Sequence, residues 1–248
     1  MSEFLIYFLY GFVASFVDGC VGMSYGVFMA SFLSGVGFSP LSVSSMVHFC
    51  EIFTSFASGL SHFLKGNIDF GLLKKILVCG VCGSLFGVFL LLILKNINIK
   101  PIVSIYLLIL GFLILKRTFA KTNNKNEKNI KPLSFFGGLL DAIGGGGWGP
   151  IVTSSLIFKG INPNKVIGTV NFSEFFITLT QVLIFVFVAK ITSWKILIAI
   201  ITGGVVAAPL SALVVNKINH KVLMFFVSIT IILINLFVIL KFIKRCLF

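Results

Sequence analysis

Charged residues are scarce in this chain of 248 residues: they make up 11% of it, and only seven are acidic. A water-soluble domain has about a quarter charged residues. Hydrophobic residues account for 58% of the sequence, and the mean hydropathy is +1.11. No water-soluble fold could bury so much apolar surface, so we expect the lipid bilayer to be the solvent of this protein.

Motifs for energy conversion and catalysis are also missing. The sequence has no G-x-x-x-x-G-K-[ST] loop, which excludes an ATPase of its own, and no nucleophile elbow or HExxH motif. Cys79 and Cys82 form a C-x-x-C within an apolar helix but have no second cysteine pair. No Cys, His and carboxylate set has a familiar ligand spacing. We therefore expect no enzyme, no catalytic residue, no cofactor and no metal.

What the chain has instead is a series of apolar runs of about 20 residues, the length that spans a bilayer as a helix. The runs are too continuous for barrel strands, whose side chains alternate with period two. The sequence thus predicts an all-α polytopic membrane protein. The eight predicted segments are Phe4–Phe32, Leu41–Leu64, Leu72–Leu94, Ile102–Leu115, Leu133–Phe158, Val166–Ala189, Ile196–Val215 and Val222–Phe242.

The net charge of +13 has two interpretations, nucleic-acid binding or snorkelling at the membrane surface. Lys and Arg collect at the ends of the predicted segments, where they reach the lipid headgroups and set the orientation of the chain. We therefore expect an integral protein of the cell membrane that contacts lipid and a small solute and does not contact nucleic acid.

An internal repeat divides the chain. A shift of 123 residues aligns Asp18–Glu51 with Asp141–Glu174 without gaps, and Asp, Gly, Pro and Glu recur at matching positions. The predicted organisation is a first repeat over residues 1–115, a polar basic linker over 116–131 and a second repeat over 132–248. Repeats are common in secondary transporters, whose sites tend to lie between the repeats on broken helices.

The topology has two interpretations. With eight full spans, the positive-inside rule puts the basic linker and both termini in the cytoplasm. As one helix, however, residues 4–35 would be about 48 Å long at 1.5 Å per residue, which exceeds a simple span. If the first segment of each half is instead broken or re-entrant, we expect inverted repeats with termini on opposite sides.

Two glycine-rich breaks follow intramembrane aspartates and are the predicted substrate-binding segments. Successive glycines disfavour a regular helix, and a helix starting after the break would point N–H groups at an anion. The alternatives are that the aspartates cap or brace the broken helices and that the glycines allow close helix packing. The predicted residues are Asp18, Gly19, Gly22 and Gly26 in the first half, and Asp141, Gly144, Gly145, Gly146, Gly147 and Trp148 in the second.

Polar residues at helical spacing form one stripe in each half. Lipid does not accept such a face, so we expect both stripes to face the interior of the bundle. His48 beside Glu51 could relay protons, or could be a satisfied hydrogen-bonding group. The stripes are His48, Glu51, Ser55, Ser58 and His62 in the second segment, and Asn171, Glu174, Thr178 and Gln181 in the sixth.

At these residues the sequence resembles the TauE/SafE family of membrane permeases. The motifs are D-G-x-x-G-M-x-Y-G at Asp18–Gly26, H-x-x-E at His48–Glu51, and D-A-x-G-G-G-G-W-G-P-I-V-T-S at Asp141–Ser154. The resemblance implies a carrier, and an exporter, of sulfite or a related anion such as an organosulfonate. The resemblance does not imply proton coupling; the hypothesis that Glu51 and Glu174 couple transport to protons comes from their position in the polar stripes. The alternatives are a cation or metal carrier that uses the intramembrane carboxylates and, third, an intramembrane enzyme.

Overall fold

A computed structural model of the chain describes residues 2–97, 99–120, 129–188, 194–214 and 219–247. Within these ranges every regular element is helical, which confirms the all-α class. The helices are α1 (Ser2–Val21), α2 (Tyr25–Val36), α3 (Pro40–Leu64), α4 (Phe70–Ile93), α5 (Lys100–Phe119), α6 (Ile130–Gly144), α7 (Ser154–Phe158, preceded by a π-helical turn Gly149–Thr153), α8 (Pro163–Val188), α9 (Trp194–Val214) and α10 (His220–Leu247).

Six of the described helices, α1, α4, α5, α8, α9 and α10, are long and apolar enough to cross a membrane. Helix α3 has 25 residues, but the polar stripe along one side lowers its hydropathy. Neither of the long predicted segments Phe4–Phe32 and Leu133–Phe158 is a single helix, because each is interrupted at its glycine-rich stretch. The count of eight full spans stays a prediction.

Local sequence explains several helix ends. Helix α3 begins at Pro40, a residue suited to the first turn, and the Ser39 side chain accepts a hydrogen bond from Ser42 N. The Asp69 side chain does the same for α4 by accepting from Leu72 N at 3.0 Å. Helix α6 is followed by the cap residue Gly145, whose φ of 72° lies in the left-handed region that favours glycine.

Each half begins with a helical hairpin. In the first half, the rings of Tyr7 and Phe32 lie 5.8 Å apart and those of Tyr10 and Phe28 lie 6.1 Å apart, so α2 runs back along α1. In the second half, a methyl group added at Gly137 would lie 2.7 Å from the Val152 side chain, so the turn after the break runs back along α6. The chain therefore reverses at both glycine-rich breaks.

Helices at corresponding positions of the two halves run in opposite directions. Along α3 and α8, Phe56 contacts Phe175 while Phe63 contacts Phe172, so the helices are antiparallel. Helices α5 and α10 are also antiparallel: Gly111 faces Ile231, and the ring of Phe119 contacts that of Phe225. This is the contact pattern of inverted repeats. The duplication itself stays a prediction from the sequence.

The first helix of each half packs along the fourth helix of the other half, counting the short helices α2 and α7. Gly11 faces Ile200 and Gly19 faces Ser211, so α1 and α9 are parallel. Gly83 faces Phe135 and the position of Gly87 faces Leu139, so α4 and α6 are parallel as well. The two halves are thereby intertwined rather than side by side.

These directions put the two termini at one end of the molecule and the linker at the other. Helix α1 starts at the first end of the molecule, and α2 returns to that end. Helices α3, α4 and α5 are joined by short connections and alternate in direction, so α5 ends at the opposite end. Helix α10 runs against α5 and ends where α1 begins. The two termini share one end, as the eight-span topology expects, but the hairpins add one reversal to each half and place the linker at the other end. The orientation of these ends in the membrane stays a prediction.

Part of the predicted linker 116–131 is helical, since α5 extends to Phe119 and α6 starts at Ile130. Residues 121–128 of the linker lie outside the described residues. The boundaries 1–115, 116–131 and 132–248 stay a prediction.

Candidate functional site

The two glycine-rich breaks lie against each other in the interior of the bundle. A methyl group added at Gly26 would lie 2.8 Å from Gly146 Cα, and one added at Gly149 would overlap the backbone of Met23. The Thr153 hydroxyl also donates to the carbonyl of Gly22 at 2.5 Å. Glycine at these positions lets the two backbones touch, as the packing interpretation of the sequence expects.

The remaining predicted glycines pack against other helices. Gly19 faces Ser211, Gly22 faces Ile167 and Gly145 faces Ser44. Gly144 and Gly147 both face the ring of Tyr106. The Tyr106 hydroxyl donates to the carbonyl of Gly146 at 3.1 Å. Tyr106 was not predicted, because nothing in its apolar run marks it.

Each aspartate caps the helical segment that follows its break. Asp18 Oδ1 accepts from the backbone N–H groups of Ser24 at 2.8 Å and Tyr25 at 3.1 Å. Asp141 Oδ1 accepts from Trp148 N at 3.1 Å. The N–H groups that the sequence analysis offered to an anion are thus occupied by the protein's own carboxylates. A substrate-binding role for the two aspartates stays a prediction.

His48 connects the two halves at the centre of the bundle. Its Nδ1 lies 3.0 Å from Glu51 Oε2, and its Nε2 lies 3.3 Å from the carbonyl oxygen and 3.8 Å from Oδ2 of Asp141. Gln181 Nε2 donates to the same Oδ2 at 3.1 Å. One chain of polar contacts therefore joins Glu51, His48, Asp141 and Gln181 across three helices.

The polar stripes face the interior, because every one of their nine side chains is buried. Asn171 Nδ2 donates to Ser58 Oγ at 3.0 Å, which links the two stripes directly. The hydroxyls of Ser55 and Thr178 donate to the carbonyls of Glu51 and Glu174 one turn earlier. Asn67 Nδ2 lies 3.2 Å from His62 Nδ1.

Several buried polar atoms near the breaks have no hydrogen-bond partner among the described residues. Buried polar groups are nearly always paired, so such a group in a native structure suggests a ligand, an ion or water. Two are hydroxyl groups beside the first break, Ser24 Oγ and Tyr25 OH. The others in this region are Glu51 Oε1, His62 Nε2, Asn171 Oδ1 and Gln181 Oε1.

One grouping was missed by the sequence analysis. His48, Glu51 and Asp141 each offer a ligand atom, and these atoms lie within 4.8 Å of one another, close enough to hold a metal ion. Asp141 lies 93 residues from His48, so no local spacing could reveal the set. In the described structure His48 contacts both carboxyl groups.

Comparisons with known proteins agree with a membrane transporter. The chain matches the family "Sulfite exporter TauE/SafE" over residues 7–238. It is 34% identical over 246 residues to the "Probable membrane transporter protein YtnM" of Bacillus subtilis (strain 168), covering 95% of this chain and 82% of that protein. No solved structure matches it significantly. With its apolar helices and its family match over nearly its whole length, the chain is a member of the TauE/SafE family of membrane transporters.

Proposed function

We propose that this protein is a secondary transporter that exports a small anion such as sulfite or an organosulfonate. The observation that carries the proposal is the meeting of the two breaks beside the buried, unpaired hydroxyl groups of Ser24 and Tyr25. Neutral hydroxyl donors can bind an anion without bringing a fixed positive charge into the bilayer. The family description as sulfite exporters supports the choice of substrate class.

In this proposal the contact between the breaks is the closed gate of the pathway. The backbones of Gly26 and Gly146 touch, so an anion can pass only when the two hairpins separate. Asp18 and Asp141 hold the broken ends together by accepting their N–H groups. Alternating access then requires the hairpins to open towards one end of the molecule at a time.

Proton coupling follows from the carboxyl groups that surround the same region. Glu51 and Glu174 are buried, and a bound anion near them would repel their negative charges. Protonation of either group removes that repulsion, so binding of the anion and of a proton favour each other. His48, in contact with both Glu51 and Asp141, connects two of these carboxyl groups.

The test is the flux of radiolabelled sulfite into proteoliposomes with and without an imposed pH gradient. We expect the gradient to stimulate flux through the unchanged protein, and Glu174→Gln to abolish the stimulation. Glu3→Gln, which changes an exposed acid at the start of α1, is the matched control and should behave as the unchanged protein. Flux no faster than in empty liposomes would exclude sulfite. Stimulation that survives in Glu174→Gln would exclude coupling through that residue.

The orientation in the membrane is a separate proposal. The linker holds six Lys or Arg, and Lys65, Lys159 and Lys165 are at the same end of the helices. Since the termini are at the opposite end, the positive-inside rule favours a cytoplasmic linker and external termini, the reverse of our sequence-based expectation. A protease site inserted at the N-terminus should be cleaved in intact cells, and one inserted at 123 should be protected. The opposite pattern would reject this orientation.

A second candidate function, a divalent-cation carrier, is favoured by the proximity of His48, Glu51 and Asp141. Their ligand atoms come from an imidazole and two carboxyl groups, a donor set that transition metals accept. Uptake of Mn²⁺ or Zn²⁺ by the same proteoliposomes, lost in His48→Gln and unaffected by sulfite, would support this function. Sulfite flux with no cation flux would reject it.

A further inference from the structure

A cavity with two lysines lies at the end of the molecule that holds the termini. Its volume is about 220 Å³, and it is lined by the end of α2, the start of α5 and the last turns of α10. Lys100 and Lys241 both line it, together with the hydroxyl-bearing Ser34. The cavity is outside the central site, because the two lie at opposite ends of α2. Ser34 is in the last turn of α2, whereas the glycine-rich break comes before its first turn.

The charge of this cavity is not balanced by any residue of its wall. Lys100 and Lys241 are close enough to repel each other, and none of the residues that line the cavity is acidic. Lys100 is partly buried, so water compensates its charge less completely than at an open surface. A cavity wall with two lysines and a serine is complementary to an anion with several oxygen atoms.

A counterpart of this cavity exists at the opposite end. A smaller cavity of about 80 Å³ is lined by Arg117 and also touches Met23 of the first break. Three of its wall positions, Ile157, Phe158 and Met224, are each 123 residues after Ser34, Gly35 and Pro101 of the first cavity. The same place in each half therefore holds a cavity with a basic side chain.

The two cavities differ in how their cations are satisfied. The Arg117 guanidinium donates to the carbonyl of Ser154 at 3.1 Å and lies 4.7 Å from the centre of the Phe158 ring. It is thus held by protein groups. Position 158 corresponds to Gly35 in the first cavity, so the ring that contacts Arg117 has no counterpart at that wall position. The first cavity is for this reason the stronger candidate for an external ligand.

We propose that Lys100, Lys241 and Ser34 form an oxyanion-binding site at the terminal end of the transporter. The ligand is a small anion with several oxygen atoms, either a solute of the sulfite or sulfate type or the phosphate group of an anionic phospholipid. As a solute site it would concentrate the anion at one mouth of the pathway. As a lipid site it would fix α2 against α5 and α10.

The site is tested by thermal unfolding of the purified full-length protein, which does not depend on transport. Sodium sulfate and phosphatidylglycerol are the two probes, each compared with sodium chloride at equal ionic strength. A ligand that binds the folded protein raises its Tm. Lys100→Gln and Lys241→Gln should each weaken binding of the effective probe by about tenfold, since each removes one charge-assisted contact. The exposed Lys195→Gln, at the same end of the molecule, is the matched control.

The outcomes separate the two sources of the ligand from failure of the site. A rise in Tm with sulfate that both cavity variants lose and Lys195→Gln keeps identifies a solute site. The same pattern with phosphatidylglycerol alone identifies a lipid site. No specific rise with either probe, or a rise that both cavity variants retain in full, overturns the proposal. Because the readout is binding, each outcome stands whether or not the protein carries sulfite.

Discussion

The two aspartates at the breaks should respond differently to removal of their charge, because they use their oxygen atoms differently. Asp18 accepts both of its N–H groups, from Ser24 and Tyr25, on the single atom Oδ1. Asp141 divides its partners: Oδ1 accepts from Trp148 N and Oδ2 accepts from Gln181 Nε2. Asparagine offers one oxygen and one NH₂ group, so it can replace the first arrangement but not the second.

We therefore predict that Asp141→Asn destabilises the protein more than Asp18→Asn does. Both variants exchange charge-assisted hydrogen bonds for neutral ones, which are about half as strong. Only Asp141→Asn also loses a hydrogen bond completely, the one from Gln181 Nε2. The new NH₂ group then faces the Gln181 NH₂ group, which is also a donor. A hydrogen bond to a charged group contributes roughly 1.5–3 kcal/mol, and that is the expected difference between the variants. It exceeds the roughly 0.6 kcal/mol that is average for hydrogen bonds between membrane helices.

The assay is reversible unfolding in mixed detergent micelles, monitored by the fluorescence of the buried Trp148. The pair Asp141→Asn with Gln181→Glu supplies a rescue, since the new carboxylate accepts from the new NH₂ group and the net charge is restored. We expect the double variant to recover most of the lost free energy of unfolding. If Asp141→Asn is as stable as Asp18→Asn, the hydrogen bond assigned between Gln181 Nε2 and Asp141 Oδ2 is wrong.

Two further predictions concern the contacts that join the halves. Gly146→Ala would press a methyl group against the backbone of Val27, so we expect a loss of about 1–3 kcal/mol in the free energy of unfolding and a loss of transport. Gly71→Ala, whose methyl group would meet only an Asp69 oxygen at 3.2 Å, is the control and should cost less; equal losses would refute the close contact between the breaks. Removing the hydrogen bond between Ser58 and Asn171 by Ser58→Ala, Asn171→Ala and the double change should give a coupling energy of about 0.6 kcal/mol, and strictly additive losses would show that the bond contributes nothing.

The helical class, the membrane setting and the family could all be predicted from local sequence. Apolar runs of the length of a bilayer leave no other solvent for the chain, and the stripe residues at helical spacing had to turn inwards. Glu51 and Gln181, which are both buried, are examples of stripe residues that face the interior. These features depend on neighbours a few residues apart, and such neighbours are visible in the sequence.

The partners of the polar residues could not be predicted in this way. Helical spacing places Glu51 one turn from His48, but no local pattern brings Asp141 to the same imidazole or shows that the two breaks touch. Local sequence also left open whether the N–H groups at the breaks bind an anion or are capped by the aspartates, and in the structure three of them donate to Asp18 or Asp141. A capping carboxylate and a bound anion both require free N–H groups at the start of a helix, so the sequence pattern is the same for both. Only the position of the carboxylate in the structure distinguishes them.

By itself, then, the sequence determined the solvent of this protein, its helices, its polar stripes and its glycine-rich breaks, because each depends on composition or on spacing within one helix. The tertiary structure decided that the first segment of each half reverses, and with it the direction of every later helix. From that reversal follow the antiparallel pairing of α3 with α8, the contact of the two breaks and the separation of the linker from the termini. A glycine-rich break is visible in the sequence, but the sequence does not show whether the chain continues or reverses there. A reversal inverts the direction of every helix that follows.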